Sequence, residues 1–315
     1  MGRGTARRRA ATALAGVLAL SWALASAAPR PPVPSLTGDG LVRAVAAGSD
    51  ETAGATGTHA TITDIDHPDV AATDEDVVVT VEVSAPGPTV RLERRDRRGW
   101  TTVATTTAET TTVRLPVPSR AGVATYRVVL APVGAGTVRT SPELTIFQSD
   151  TVAHAEYVAR ARAAVRAFCP LTPIYVDSPD VRSGSTVGKA RSSWSWADGQ
   201  ASWTQSIRLR SGLADAILEH TALHECAHVV QVRPLVDGER AYDASTARTE
   251  RRYARGAAEP GELQADCMAS VVTGRPSVMY YARTCSARQR ADARDMWREH
   301  GSHRQSPVLS WAWKD

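Results

Sequence analysis

Leu223-His224-Glu225-Cys226-Ala227-His228-Val229-Val230 is the stretch from which the rest of the chain is read. It sets the pattern H-E-x-x-H inside an apolar, helix-compatible run. On an α-helix, residues four apart lie about 40° apart around the axis, so His224 and His228 share one face. Two imidazoles one turn apart can both reach one Zn²⁺ at about 2.0–2.1 Å. Glu225 lies along the same rim, badly angled for a ligand but well placed to take a proton from a water beside the ion. Leu213, Ala216, Ile217, Ala222, Leu223, Ala227, Val229 and Val230 supply the apolar side of the helix. Ser211 is a candidate N-cap, and Pro234 opposes continuation past Arg233. The expected helix runs from Leu213 to about Val232. A surface helix with solvated histidines is the plain alternative, and a matching third ligand further down the chain argues against it.

That third ligand lies in Glu259-Pro260-Gly261-Glu262-Leu263-Gln264-Ala265-Asp266-Cys267. Pro260 suits a first helical turn and Gly274 a helix end, so Glu262 and Asp266 fall one turn apart on a short helix. A carboxylate ligand, with an acid four residues on to hydrogen-bond a ligand histidine, completes what a His₂Glu catalytic zinc requires. A solvated acidic face is the simpler alternative. H-E-x-x-H followed by E-x-x-x-D resembles the gluzincin class of zinc metallopeptidases. The run Glu262-Leu263-Gln264-Ala265-Asp266-Cys267 resembles in particular the bacterial neutral zinc metallopeptidase group. The resemblance spans about residues 150–300 and is specific only at these two helices. It implies His224, His228 and Glu262 as ligands of one Zn²⁺, Glu225 as general base, and Asp266 as the acid behind a ligand histidine.

Residues 1–27 read as a signal peptide: Arg3, Arg7, Arg8 and Arg9, an Ala/Leu/Val-rich run from Ala10, then Ala25-Ser26-Ala27 before the cut. An uncleaved membrane anchor is the alternative, because the apolar run approaches bilayer length. The formal net charge is +4, and the first 28 residues carry four arginines and no acid, so the exported chain is near neutral. Nothing in it points to nucleic acid. Heavy Ala, Arg and Thr usage is an association with a GC-rich bacterial genome. Residues 28–57, rich in Pro, Ala, Gly and Ser, read as a flexible linker or a propeptide.

From residue 58 to 148 the period is two. Strands are expected at Thr61–Thr63, Val77–Val83, Thr89–Arg94, Trp100–Val103, Thr112–Leu115, Thr125–Leu130 and Glu143–Ile146. Short alternating strands at this spacing argue an all-β sandwich, Ig-like or fibronectin-like, similar to the small modules appended to secreted bacterial enzymes. Arg91, Arg94, Arg95, Arg97 and Arg98 invite a polyanion site. Interleaved Glu93 and Asp96, with Gly99 at a turn, favour a solvated hairpin.

From residue 149 to 315 an α+β domain is expected. Val152, Ala155, Val158, Ala161, Val165 and Phe168 stripe a helix ending near Cys169-Pro170. A strand at Ile174–Val176 follows, then two strands flanking Asp198-Gly199. This order resembles the minimal zincin scaffold, whose edge strand lines the substrate cleft. Trp194, Trp196 and Trp203 are read as cross-strand packing. The charged segment 235–258 is expected to join the ligand helices and overhang the site, and a further helix runs from about Ala287 to His300. His220 is read as a cleft-wall or solvated residue. His300, His303 and the tyrosines are candidates for stabilising an oxyanion, as a His or Tyr does in that family.

All four cysteines lie in this second domain, and an exported chain favours disulfides over metal thiolates. Cys226 points about 200° from His224, away from the metal and the Glu262 helix, which disfavours Cys226–Cys267. Of the two remaining pairings, Cys169–Cys226 with Cys267–Cys285 is preferred. The reading is a secreted zinc metallopeptidase acting on peptide or protein, with cell-surface or cell-wall contact open to the β module. Hydrolysis of cell-wall peptide amides is one rival. A catalytically inactive binding protein is the other, and an intact Glu225 argues against it.

Overall fold

Valine, threonine and isoleucine in alternation fold the first half of the chain into two sheets around one core. A computed structural model describes residues 60–132, 136–182, 184–197, 200–254, 258–301 and 308–312, with backbone alone at 194–197, 200–203, 277 and 308–312. The expected signal peptide, linker and His303 lie outside the described residues. So do the side chains of Trp194, Trp196 and Trp203.

The first half contains β1 (Ile62–Asp66), β2 (Val70–Ala72), β3 (Val78–Val83), β4 (Thr89–Asp96), β5 (Gly99–Thr107), β6 (Thr112–Pro116), β7 (Gly122–Ala131), β8 (Arg139–Thr140) and β9 (Leu144–Ser149). One sheet has the order β1-β3-β6 and the other β2-β9-β7-β4-β5, with β8 paired to β7. Val79, Val81, Val83 and Leu115 from the first face Val90, Leu92, Val128, Leu130 and Ile146 from the second in a single buried cluster. All seven expected strands are present. The two additional ones are β8, two residues long, and β2, a Val-Ala-Ala segment of weak strand propensity that pairs parallel to the end of β9. The arginine-rich stretch is the exposed β4–β5 hairpin, with Gly99 at φ 123° and Arg95 paired to Glu143.

The second half contains α1 (Ala155–Val165), β10 (Ile174–Val176), α2 (Pro179–Arg182), β11 (Gly188–Ala197), β12 (Gln200–Leu209), α3 (Asp215–Val232), α4 (Glu239–Tyr253), α5 (Pro260–Thr273), α6 (Ala287–His300) and β13 (Val308–Ala312). The described residues thus form a mixed α and β protein in which an all-β part precedes an α+β part. β11 runs antiparallel along one edge of β12, Trp194 opposite Trp203, while β10 and β13 share the other edge. Under this sheet lies α3, buried on every side from His220 to Val230. Its neighbours are Ile174, Val176, Ile207 and Leu209 from the sheet, Leu263 and Met268 from α5, and Met296 and Trp297 from α6.

Several expectations are corrected. Val152, 86% exposed, and Ala155 fall outside the stripe of α1, because the helix starts only at Ala155; Val158, Ala161, Val165 and Phe168 pack on the core as expected, joined by Tyr157. Ser211 does not cap α3; its N–H and hydroxyl bind the Asp177 carboxylate, and the helix starts four residues later. Ile217 is 37% exposed, not core. The segment after Pro234 is a short 3₁₀ turn and then the regular helix α4. By contrast α5 starts at Pro260 and ends on Gly274 in the left-handed region, as its sequence dictates. Cys169–Cys226 and Cys267–Cys285 are bonded, closing loops of 57 and 18 residues. Such bridges fit an oxidising compartment outside the cytoplasm. Among the described residues no helix is long and apolar enough to cross a membrane.

The two halves touch. Arg208 on β12, nearly fully buried, reaches both carboxylate oxygens of Asp69 at 2.8 and 3.0 Å. Its other nitrogen reaches Asp180 at 2.9 Å. Tyr175 donates to Glu75 and packs with Val70, Ala72 and Phe147.

Candidate metal centre

His224, His228 and Glu262 converge because α3 and α5 pack side by side in the core. His224 Nε2 lies 3.1 Å from His228 Nε2 and 2.9 Å from Glu262 Oε2, and the latter two are 3.3 Å apart. Tetrahedral ligands at about 2.0–2.1 Å from Zn²⁺ stand about 3.3 Å from one another, so the triangle has the size a single ion needs. All three side chains are buried.

The hydrogen bonds behind the triangle decide which atoms face into it. Burial alone would raise the Asp266 pKa, but hydrogen bonds from His220 and His224 and the N–H of Ala282 outweigh it and hold the acid well below its usual range. Asp266 is therefore an acceptor, and His224 Nδ1, 3.0 Å from its Oδ1, carries the proton. On the other side a relay starts at Asp292, clamped by Arg248 and Arg252 at 2.6 and 2.9 Å. Gln264 Nε2 donates to Asp292, Gln231 Nε2 donates to Gln264 Oε1, and that leaves Gln231 Oε1 to accept from His228 Nδ1 at 2.9 Å. Both histidines thus spend their Nδ1 protons rearward and turn Nε2 lone pairs toward each other and toward a carboxylate. Three lone-pair donors in contact repel unless a cation or a proton stands between them. Burial lowers the His224 pKa, yet Asp266 and Glu262 more than offset this and raise it well above the ordinary value. Glu262 is pulled down to about 2: burial opposes ionisation, and the two histidines outweigh it.

Glu225 faces the adjoining space. Burial pushes its carboxyl up to about 7 against the pull of His224 and His228, and the Ala190 N–H donates to it. Its Oε2 is buried without a hydrogen-bond partner among the described residues. Gly188 on β11 lies against the same carboxyl: a Cβ there would come within 2.6 Å of Glu225 Oε1 and of Thr221 Cγ2.

The structure therefore brings together His224, Glu225, His228, Glu262 and Asp266. His220 is neither cleft wall nor solvated. It is fully buried, its Nε2 3.3 Å from Asp266 Oδ1, so it shares that carboxylate oxygen with His224 Nδ1 and braces the acid. His220, His224 and Asp266 also form a group that could hold a cation, but each contact is already that of an N–H on an ionised acid. His300 lies at the end of α6, where its carbonyl accepts from Arg233. Tyr281, one of the tyrosines that the sequence offered without singling it out, stacks on His224 at 5.8 Å and bonds Glu262 through its hydroxyl. Burial and the nearby carboxylates raise its pKa, keeping it a donor. Gln231, Gln264 and Asp292 had no role assigned from the sequence; only Gln231, three residues after His228, carried a spacing signal.

No protein-family model and no curated protein matches the chain. Among solved structures, a chain described as "Biofilm associated protein - BSP domain" is similar with a TM-score of 0.22 and 14% identity, over 49% of this chain and 30% of that one. This chain thus spans less than a third of that structure's length.

Proposed function

We propose that the protein is an exported zinc metallopeptidase, a zincin-like domain following an Ig-like module, that hydrolyses peptide bonds. The observation that carries this reading is the triangle of His224 Nε2, His228 Nε2 and Glu262 Oε2. All three residues are buried, and Asp266 and Gln231 behind the two imidazoles turn their Nε2 atoms inward, with an unpaired oxygen of Glu225 alongside. The set fits zinc in number, type and spacing. When bound there, the ion would supply Lewis-acid chemistry, polarising the scissile carbonyl and acidifying water. Asp266 and Gln231 hold the two imidazoles in the ligating tautomer. Glu225, raised by burial toward neutrality, takes the proton of the attacking water at Oε2 and returns it to the leaving amine. β11 offers its outer edge to an extended peptide, since β12 occupies only its inner edge.

Export rests on the arginine-rich and apolar start of the sequence together with the two disulfides, and contact with a cell surface is the role left to the β module. The separating experiment is Glu225→Gln. It removes the base without touching the ligand triangle, so zinc content and fold are retained while hydrolysis of casein falls by at least about 10²-fold. Turnover comparable with the unsubstituted protein would contradict the mechanism.

A further inference from the structure

Beside the metal centre lies a cavity of about 380 Å³, within the range of small-ligand sites and large enough for one long side chain. Ala190 and Ser192 of β11 and His228 line its inner end, α4 its far side, and the first turn of α5 the remainder. Gln231 and Gln264 also reach it, but their amides are committed to His228, Gly261, Thr249, Asp292 and each other. They have little left with which to recognise an amide or alcohol.

Charge distinguishes this cavity. No lysine or arginine is among its lining residues, whereas Glu250 and Glu259 are, and neither carboxylate has an ion-pair partner among the described residues. Helix geometry explains the asymmetry: Arg248 and Arg252 lie two residues either side of Glu250, on the opposite face of α4, and both are spent on Asp292. Glu259 is the N-cap of α5, three residues before Glu262, and both Glu250 and Glu259 are exposed.

We propose that this cavity receives a lysine or arginine side chain of the substrate, so that cleavage is directed to peptide bonds beside basic residues. The proposal rests on the peptidase reading above and names its substrate class. The aliphatic stem lies against Ala190, Val232 and Pro260, and the cation meets Glu250 and Glu259. An acidic side chain would meet two like charges, and an apolar one of equal length would gain no ion pair.

Two measurements test it on the full exported chain loaded with zinc. The first is kcat/KM for matched quenched peptides that differ only in lysine or norleucine beside the cleaved bond. Two exposed ion pairs give a lysine preference of about fivefold, and in the double variant Glu250→Gln/Glu259→Gln the ratio falls to about one. Zinc content serves as the control for fold. The second is calorimetric binding of acetyl-lysine amide against acetyl-norleucine amide, which needs no turnover and is expected to give the same ratio and the same collapse. Equal affinity for the two amides, or a lysine preference that survives the double variant, overturns the proposal. Binding that favours lysine without cleavage of any peptide sustains the cavity's preference and sinks the peptidase reading instead.

Discussion

Gly188 has no side chain because Glu225 occupies the space that one would need. A methyl group there would stand 2.6 Å from Glu225 Oε1, closer than a carbon and an oxygen can approach, so the carboxyl must swing aside. Gly188→Ala is therefore expected to lower kcat by at least about tenfold through misplacement of the base, with zinc content unchanged. Unchanged kcat would show that the carboxyl has freedom that the packing denies it. Nothing in the sequence marks Gly188, because a close approach between a strand and a helix is invisible until both are placed. The convergence of His224 with His228, and of Glu262 with Asp266, was legible because a spacing of one helical turn encodes a shared face, and Glu225 adjoins His224 on the rim. His220 shares that spacing too. It was misread because its partner, Asp266, lies 46 residues away on another helix.

At the scale of elements, α3 is legible in type and end but not in its surroundings. Apolar residues interspersed with histidines suggested one buried side, whereas the sheet, α5 and α6 enclose the helix on all sides. Its closing residue, Arg233, is fully buried, with burial lowering its pKa to about 10. It donates to the carbonyls of Phe168, His300 and Gly301, gathering the ends of α6 and of the turn after α1 onto α3. Arg233→Met orphans those three acceptors and is expected to cost at least about 3 kcal/mol in denaturant unfolding of the disulfide-intact chain. A loss below about 1 kcal/mol would mean that water replaces the guanidinium without penalty. The sequence gives α4 only as a charged segment joining the ligand helices, without a helical reading, because arginine, aspartate and glutamate dominate it and leave no apolar stripe. Its helix is fixed by tertiary pairing, Arg248 and Arg252 on Asp292, which no local pattern announces.

For the whole molecule, the change of period near residue 150 marks the passage from an all-β part to an α+β part, with a separate core on each side of it. What the sequence hides is the seam between them: Asp69 on Arg208, Glu75 on Tyr175, and Val70, Ala72 and Phe147 around that tyrosine. Residues 149–315 alone keep the second core, both disulfides and the ligand triangle, so the fragment is expected to bind zinc and cleave an unstructured peptide. It should also unfold at lower temperature, and the Asp69–Arg208 pair supplies only about 1 kcal/mol of that, because Asp69 is two-thirds exposed. A zinc-free or unfolded fragment would show that the β module completes the core of the second half. The central claim is that His224, His228 and Glu262 together hold one catalytic ion, and elemental analysis of residues 28–315 tests it most directly. About one zinc per chain, with most of it lost in Glu262→Ala, is the predicted result. Full zinc retention in Glu262→Ala, or none in the unsubstituted protein, would contradict it.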